Sequence, residues 1–340
     1  QLHWAELRNS SNFGFDVGWV DQFLVADTSS HDNGSPSGTG FVVGLLADAV
    51  CVDGMFRDCE AYNNGIESTE AYDMSHGFQE TGAINQQYLR CSAYSNHRDG
   101  FDAGTADNAH STSATYIDCV AYDNGEDGFG CNGGPSGNQE FTYINAISYG
   151  NRNGWQIYEG ARAALYHSIG AYNGGSTSFG GNILTYSAEA PPCTITLRNY
   201  IGYRPAGSSF QIGGYDSVDK PTEMDVQNSI FIPRSADSDL GFEIPWGTNY
   251  TYSDAPSFIS DPVNNNLNGI AYDTPELFRA FSDQSYEACD FRPASDAAHS
   301  IDAGQYITDP VEALSDLAGQ TREDPPEIGP YEHATTDGDA

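Results

Sequence analysis

Positive charge is what this sequence has least of. It contains 13 Lys and Arg residues against 48 Asp and Glu residues, which gives a formal net charge of -35, and its one lysine is Lys220. A surface this acidic repels nucleic acid and anionic membranes, so we expect neither as a partner. The same acidity is typical of proteins from high-salt (halophilic) environments, and it also suits a protein that binds cations. Composition leaves both interpretations open.

Long apolar runs and paired-cysteine motifs are also missing. No stretch of about 18 apolar residues occurs, so the sequence predicts no membrane insertion. The seven cysteines are odd in number and include no CxxC pair, which argues against a fully paired disulfide framework and against a cysteine zinc site. The chain begins with Gln1 instead of methionine, and we expect a processed, secreted protein.

What the sequence does have is repetition. The stretch CSAYSNHRDGFDAGT begins at Cys91, and the related stretch CVAYDNGEDGFGCNGG begins 28 residues later at Cys119. Gly-Phe or a close variant recurs at spacings of 23 to 37 residues, and periods of this length are typical of solenoids. The aromatic residues that align in this way are Phe15, Phe41, Phe78, Phe101, Phe129, Trp155, Phe179, Phe210 and Phe242.

Short segments of alternating polarity precede most of the Gly-Phe pairs, and they align in further columns. Period-two alternation within each segment predicts strands with one buried face. One column contains Cys59, Cys91, Cys119, Ala146 and Ile169. A second column, three positions earlier, contains Phe56, Tyr88, Tyr116, Tyr143 and Tyr166. A third column contains Asn33, Asn64, Asn96, Asn124 and Asn151.

These columns predict an all-β fold, a right-handed parallel β-helix of about nine coils. Coils stacked at roughly 4.8 Å would bring like side chains together, with thiols as small buried groups and asparagines bonded to the next coil. We assign residues 1–246 to the coils. The columns fade after that, and we expect residues 247–340 to form a tail of irregular structure and short helices, at 274–283 and 310–319, that packs on or caps the coils within the same domain.

Acidic residues fall beside Gly-Phe on two successive coils. If Phe101 points inward, Asp102 points outward, and Asp99 lies at the turn before it. Two more acids occupy the same rim one coil later. Carboxylates gathered in this way repel one another unless a cation lies among them, and oxygen ligands on a rigid frame suit Ca²⁺. The predicted calcium ligands are Asp99, Asp102, Glu126 and Asp127, and the alternative is a solvated acidic face.

Two motifs resemble known proteins over nearly the whole chain. The ending DFRPASDAAHSIDAG…AGQTREDPPEIGPYEH resembles the C-terminal signature of secreted right-handed parallel β-helix proteins. The coils SNHRDGFDAG and DNGEDGFGCNG resemble the calcium-binding turns of the pectate lyase-like polysaccharide lyase family 9. The resemblance implies an extracellular enzyme that cleaves an acidic (uronate) polysaccharide such as pectate by calcium-assisted β-elimination.

The resemblance fails at the catalytic base. In family 9 the base is a lysine directly after Gly-Phe on a following coil, whereas this chain reads GNRNGWQIYEG at 150–160 and has Gln156 there. An arginine could replace the lysine, although acidic surroundings oppose the loss of its proton. The candidates for catalysis are Arg152, Gln156 and Arg98, and those for substrate binding are His76, Glu80, Tyr158, Glu159 and Arg162. A surface turn is an alternative interpretation of His76, and a side-chain stack is one of Tyr158.

Several functions therefore stay open. One alternative to the lyase is a carbohydrate-binding β-helix without activity. Another is an extracellular structural subunit that forms a homo-oligomer or fibre through an open N-terminal coil, whose strand edges would be unpaired. A third is glycoside hydrolysis by a pair of carboxylates. The acids available for that reaction are Glu80, Asp102, Glu126, Asp127 and Glu159.

Overall fold

The computed structural model describes most of the chain up to residue 232 and parts of the remainder. The described residues are 1–34, 38–44, 51–65, 75–104, 112–133, 139–174, 180–187, 192–203, 210–216, 223–232, 242–243, 249–250, 267–268, 278–280, 286–293, 313, 316, 320–322 and 330. Within these residues no helix is long and apolar enough to cross a bilayer.

The chain winds through three sheets, and the fold is the right-handed parallel β-helix that the repeat predicted. Counted over the described residues, the sheets contain nine, ten and ten strands. The first sheet consists of Leu2–His3, Leu24–Ala26, Met55–Arg57, Gln86–Leu89, Ser113–Ile117, Glu140–Ile144, Arg162–Tyr166, Thr194–Arg198 and Glu223–Gln227. The second sheet consists of Glu6–Arg8, Ser29–His31, Glu60–Tyr62, Ser92–Tyr94, Val120–Tyr122, Ile147–Tyr149, Ile169–Ala171, Ile201–Tyr203, Ile230–Ile232 and Leu267–Asn268. The third sheet consists of Phe13–Val17, Thr39–Val43, Phe78–Glu80, Phe101–Gly104, Asp127–Asn132, Asn153–Tyr158, Gly181–Ser187, Phe210–Asp216, Phe242–Glu243 and Asn249–Tyr250, the last being antiparallel to its neighbour.

Two short pairs of strands lie outside these sheets. Cys51–Val52 pairs with Ala83–Ile84 in parallel, and Phe278–Ala280 pairs with Asp290–Pro293 in the antiparallel sense.

The corner between the first and second sheets is a tight turn with one residue in the left-handed conformation. The φ angle there is 54° at Asp58, 56° at Asp118 and 54° at Asn145. Asp and Asn are among the few residues other than glycine that adopt this conformation readily. The same short corner on successive coils keeps the strands before and after it in register.

The asparagine column is a ladder of side-chain hydrogen bonds, as predicted. Asn96 Nδ2 donates to Asn124 Oδ1 at 3.0 Å and to the Ala61 carbonyl at 3.0 Å, and Asn96 Oδ1 accepts from Asn64 Nδ2 at 2.9 Å. Every coil thus satisfies the amides of its neighbours, which would be costly to bury alone. The ladder contains Asn33, Asn64, Asn96, Asn124, Asn151, Asn173, Asn182 and Gln211.

Two aromatic columns fill the interior. On the third sheet Phe78 stacks on Phe101 at a centroid distance of 4.8 Å, and Phe101 stacks on Phe129 at 5.0 Å. A parallel column on the first sheet includes Tyr116, whose ring meets Phe101 edge to face at 5.5 Å. The predicted cysteine column is also interior, because Cys59, Cys91 and Cys119 are free thiols with no exposed surface.

The predicted alignment of the first two sheets is wrong by one residue at 165–175. Leu165 pairs with Tyr143, whereas Tyr166 pairs with Ile144. In the same way Ile169 pairs with Ile147 and not with Ala146. Leu165 is fully buried, and a shift of one residue would turn it outward.

The aromatic column of the third sheet also changes after Trp155. Ile183 and Ile212 continue it, and Phe242 follows. Phe210 pairs with Gly181 instead and does not belong to the column. Phe179 lies outside the described residues. A β-branched side chain fills the same interior position, and the sequence pattern of Gly-Phe does not detect it.

Described parts of the tail cover the outer surface of the second sheet. Phe278 and Phe291 pack in a cluster with Tyr149 and Ile201, and the Tyr286 ring stacks on Tyr122 at 4.3 Å. The helix predicted over 274–283 is wrong where the structure describes it, because Phe278–Ala280 is a strand, and a 3₁₀ turn follows at Tyr286–Ala288. The helix predicted over 310–319 lies almost entirely outside the described residues.

The N-terminal coil forms the outermost strand of all three sheets. Leu2–His3, Glu6–Arg8 and Phe13–Val17 each pair with one strand only. Trp4 and Trp19 beside them are 81% and 66% exposed. Assembly of a homo-oligomer or fibre through this coil stays a prediction.

Candidate functional site

The candidate site lies on the outer face of the third sheet. Phe101 points into the core, so the next residue, Asp102, points outward. The strand register places Gly130 and then Gln156 on the same outward line, one and two coils further on. We call this row the outer line. It contains Val42, Gln79, Asp102, Gly130, Gln156 and Leu184.

His76 lies between two of the predicted acids. Its Nδ1 atom is 3.0 Å from Asp99 Oδ2, and its Nε2 atom is 3.6 Å from Asp102 Oδ2. His76 and Asp99 are 4% and 6% exposed, so His76 is not a surface turn residue. The side chain of Asp102 is 28% exposed and reaches the outer face. One nitrogen or oxygen atom from each of the three lies within 4.8 Å of the others, which is close enough for a shared metal ion.

The pKa values of the three side chains in this cluster shift in different directions. Burial lowers the pKa of His76, but the two carboxylates outweigh it and the pKa is raised. Burial raises the pKa of Asp99, but the imidazole and the Asp127 amide outweigh it, so this pKa is lowered. Burial raises the pKa of Asp102, and the negative charge of Asp99 adds to that effect. Asp99 is therefore the carboxylate that holds the imidazole.

The other two predicted calcium ligands have different partners. Glu126 Oε2 accepts hydrogen bonds from Arg98 Nε at 3.0 Å and Nη2 at 2.8 Å, and its Oε1 lies 3.9 Å from Arg152 Nη1. Asp127 accepts a hydrogen bond from Asn153 Nδ2 at 2.6 Å, and burial raises its pKa well above the usual range. His76, Asp99 and Asp102 thus form one group, and Asp127 contacts it through its backbone N–H, which donates to Asp99 Oδ1 at 2.8 Å.

Two of the three residues predicted for catalysis, Arg98 and Arg152, lie beside Glu126 on adjacent coils. Burial lowers the pKa of Arg98, but its hydrogen bond with Glu126 outweighs this effect, so the pKa is raised and the guanidinium keeps its proton. Arg152 shares the same carboxylate, and its side chain is 44% exposed. Gln156 is half-buried on the outer line, two coils from Asp102. Arg162 is displaced from this group, because it lies on the first sheet, where its Nη1 is 3.3 Å from Glu140 Oε1.

The prediction that Glu80 binds substrate on the outer face is wrong. Glu80 follows Phe78 by two positions and pairs with Ala103, so it points into the core, where it is 1% exposed. Its Oε1 accepts a hydrogen bond from the Tyr116 hydroxyl at 3.2 Å. Burial raises the pKa of Glu80 to about 8, against the opposing effect of the Tyr88 and Tyr116 hydroxyls. The sequence already indicated this orientation, because residues two positions apart on a strand face the same side and Phe78 faces the core.

Two further predicted residues border the outer line. The Tyr158 ring stacks on Tyr186 of the next coil with centroids 4.5 Å apart, and both rings are half-buried. Glu159 lies at the turn after this strand, with φ at 47°. Gln79 is a residue that the sequence interpretation missed, although it holds the position after Gly-Phe that Asp102 holds one coil later. Its Nε2 lies 3.5 Å from Asp102 Oδ2.

Comparisons with known proteins give similarity to solved structures only, at low sequence identity. The sequence matches no known family model, and no curated protein is detectably similar to it. Among solved structures, the chain is similar to the "Crystal structure of pectate lyase Pel9A", with a TM-score of 0.40 and 15% sequence identity. That alignment covers 96% of this chain and 88% of the other.

Proposed function

We propose that this protein binds an acidic (uronate) polysaccharide along the outer line, with a divalent cation beside Asp102 that bridges to the sugar carboxylates. One observation carries the proposal. The cluster of His76, Asp99 and Asp102 reaches the outer line at Asp102, and the amides of Gln79 and Gln156 lie on the same line, one coil before Asp102 and two coils after it. Carboxylate and amide groups suit the hydroxyl-rich surface of a sugar chain.

The proposal includes a cation because the protein and a uronate polymer are both negatively charged. The chain carries a formal net charge of -35, and a uronate polymer is also negative. The two would repel each other unless a cation lies between them. Carboxylates on both sides are ligands for such an ion, and the sequence resemblance to family 9 lyases supports calcium in this role. The proposal places the protein outside the cell, where such polymers occur.

β-Elimination at this site is the second candidate, and the position of Arg152 favours it. Its partly exposed guanidinium lies on the same coil as Gln156, beside the outer line. In this reaction a base removes the proton on the carbon next to the uronate carboxyl group, and the adjacent bond to the glycosidic oxygen breaks as a C=C bond forms, with the leaving oxygen taking a proton from solvent. A cation held at Asp102 would stabilise the negative charge that develops on the carboxyl group. An arginine can act as the base only when neutral.

One experiment separates binding from catalysis. The full chain is titrated with polygalacturonate and with alginate by calorimetry, with Ca²⁺ and again with chelator, while ultraviolet absorbance detects unsaturated uronate. Cation-dependent binding without new absorbance supports the binding function alone. New absorbance that Arg152→Ala abolishes adds the elimination.

The matched variants are Asp102→Asn on the outer line and Asp225→Asn on the first sheet. We expect only Asp102→Asn to weaken cation-dependent binding, by about tenfold or more. Absence of binding to both polymers under all conditions, or equal binding by the two variants, would contradict the proposal.

A further inference from the structure

The two ring nitrogens of His76 have different surroundings. Nδ1 lies 3.0 Å from Asp99 Oδ2, and the other oxygen of Asp99 accepts the backbone N–H of Asp127 at 2.8 Å. Asp99 therefore accepts a hydrogen bond at one oxygen and faces the imidazole with the other, where the contact is close but lacks the alignment of a hydrogen bond. A histidine that binds a metal through one nitrogen usually directs the other toward a carboxylate or carbonyl. Asp99 and His76 have this arrangement, which leaves Nε2 to face the outer side.

The distance from Nε2 to Asp102 fits a shared ion better than a hydrogen bond. The 3.6 Å between His76 Nε2 and Asp102 Oδ2 is too long for a hydrogen bond. Two ligands of one tetrahedral ion, each bonded at about 2.0–2.2 Å, lie roughly 3.4 Å apart. Little movement of either side chain is needed to accommodate such an ion.

Gln79 gives an independent sign of a third ligand. It is 7% exposed, and its Oε1 is buried without a hydrogen-bond partner within the described part of the chain. Its Nε2 faces Asp102 Oδ2 at 3.5 Å, and the two ends of an amide exchange places by a simple flip. After that flip the unpartnered carbonyl oxygen points toward Asp102.

The next coil places a glycine beside Asp102. Gly130 follows Asp102 on the outer line, and a Cβ atom there would lie 3.5 Å from Asp102 Oδ1. Glycine thus adds no side chain beside Asp102 from this coil. The nearby guanidinium of Arg98 is hydrogen-bonded to Glu126.

We propose that His76 Nε2, Asp102 and the Gln79 carbonyl bind a Zn²⁺-class divalent ion, with water as a further ligand and Asp99 as the residue that positions the imidazole. This deepens the cation part of the proposed function and rests on it for the role of the ion. An imidazole ligand favours zinc and its neighbours in the transition series, whereas calcium takes oxygen ligands. The inference therefore names a different ion from the calcium that the sequence predicted.

His31 provides an internal contrast. It also lies between two carboxylates, but its Nδ1 is 2.8 Å from Asp32 Oδ2 and its Nε2 is 3.0 Å from Glu6 Oε1. Both distances are those of hydrogen bonds, so both ring nitrogens are already used. His31 is therefore the matched control for His76.

The test is calorimetric titration of the chelator-treated full chain with ZnCl₂, in parallel with CaCl₂. We expect one Zn²⁺ site that is tighter than any Ca²⁺ site. His76→Gln should weaken it by about 100-fold, and Asp99→Asn by about 10- to 100-fold. His31→Gln should leave it within about twofold. X-ray absorption at the zinc edge should show one imidazole nitrogen at about 2.0 Å.

Several results would overturn the inference. They are tighter binding of Ca²⁺ than of Zn²⁺, the absence of a Zn²⁺ site, and equal loss of the site in His31→Gln and His76→Gln. Thermal melts identify variants that fail to fold. Asp102→Asn is the second variant, because its partly exposed side chain is less critical for folding, and it should weaken Zn²⁺ by about tenfold or more.

Polysaccharide titrations run beside the metal titrations distinguish the two proposals. Polymer binding that depends on Ca²⁺, with no Zn²⁺ site, overturns this inference and leaves the proposed function intact. A Zn²⁺ site that requires His76, with no polymer binding, supports the metal site and rejects the proposed function.

Discussion

The inner and outer faces of the third sheet differ although they alternate along the same strands. Inside, Phe78, Phe101 and Phe129 stack as like rings. Outside, the residues that follow them are Gln79, Asp102 and Gly130, which differ in size, charge and polarity. An interior residue is the packing surface of the next coil, so like side chains recur there. The outer residues are less constrained, and the candidate site lies among them.

The largest expected effect comes from a change inside the core. Phe101→Ala removes a ring that contacts the rings of Phe78, Phe129 and Tyr116. We expect the free energy of unfolding to fall by about 3–5 kcal/mol, because the cavity extends over three coils. Urea unfolding followed by circular dichroism measures it. A loss below about 1 kcal/mol would contradict the tight inner packing that this comparison assumes.

The second-largest loss of stability is expected from a change in the asparagine ladder. Asn124→Ala removes the acceptor of the Asn96 backbone N–H and of one Asn96 Nδ2 hydrogen, and it removes the side-chain donor to the Ala93 carbonyl and Asn151 Oδ1. Each group left unsatisfied costs about 1–3 kcal/mol. We expect a total loss of about 2–4 kcal/mol. The matched control is Asn132→Ala, which changes a half-buried asparagine on the outer face. Equal urea midpoints for the two variants would show that the ladder adds no stability.

Glu80 is the polar exception inside, and it predicts a pH dependence. The folded chain holds the Glu80 proton up to about pH 8, whereas the unfolded chain releases it near 4.5. The protonated carboxyl group therefore stabilises the fold most below about pH 4.5, and this contribution declines as the pH rises to about 8, by up to about 1.4 kcal/mol for each pH unit.

Glu80→Gln should remove that decline, since glutamine does not ionise. The measurement is the difference in unfolding free energy between wild type and variant across this pH interval. Glu223→Gln, at an exposed position on the first sheet, is the control for overall charge. A difference that does not change with pH would contradict a buried, protonated Glu80.

The smallest effect on stability is expected on the outer line. Gln156→Ala should change the free energy of unfolding by no more than about 0.5 kcal/mol, because the side chain is half-buried and faces outward. Its effect should appear in the affinity for polygalacturonate or alginate, if the proposed function is right. A large loss of stability together with unchanged affinity would make Gln156 a structural residue.

The sequence was a good guide wherever one coil repeats another. The asparagine ladder could be predicted from five aligned letters, because each amide needs the same partner above and below it. Prediction was weaker where two apolar residues compete, as with Leu165 and Tyr166, since either suits a buried position. Ile183 and Ile212 were missed for a similar reason, because they replace an aromatic residue in the column.

The candidate site was predicted only in part. Strand alternation correctly put Asp102 outside, and the same rule applied to Phe78 would have put Glu80 inside. The pairing of Glu126 with Arg98 also had a signal, because the strand register places the two at equivalent positions on adjacent coils. The contact of His76 with Asp99 had the same signal, because each lies two residues before a paired phenylalanine, Phe78 and Phe101. The approach of His76 Nε2 to Asp102 had no such signal.

The sequence by itself determined that the coils stack and which side chains lie inside, because a repeat of strands with period-two alternation can bury its apolar face in few other ways. Tertiary structure alone decided how the residues at the rim combine. Which nitrogen of His76 faces Asp99, and which faces Asp102, depends on turn geometry and on distances of a few tenths of an ångström. Sequence spacing does not specify such distances.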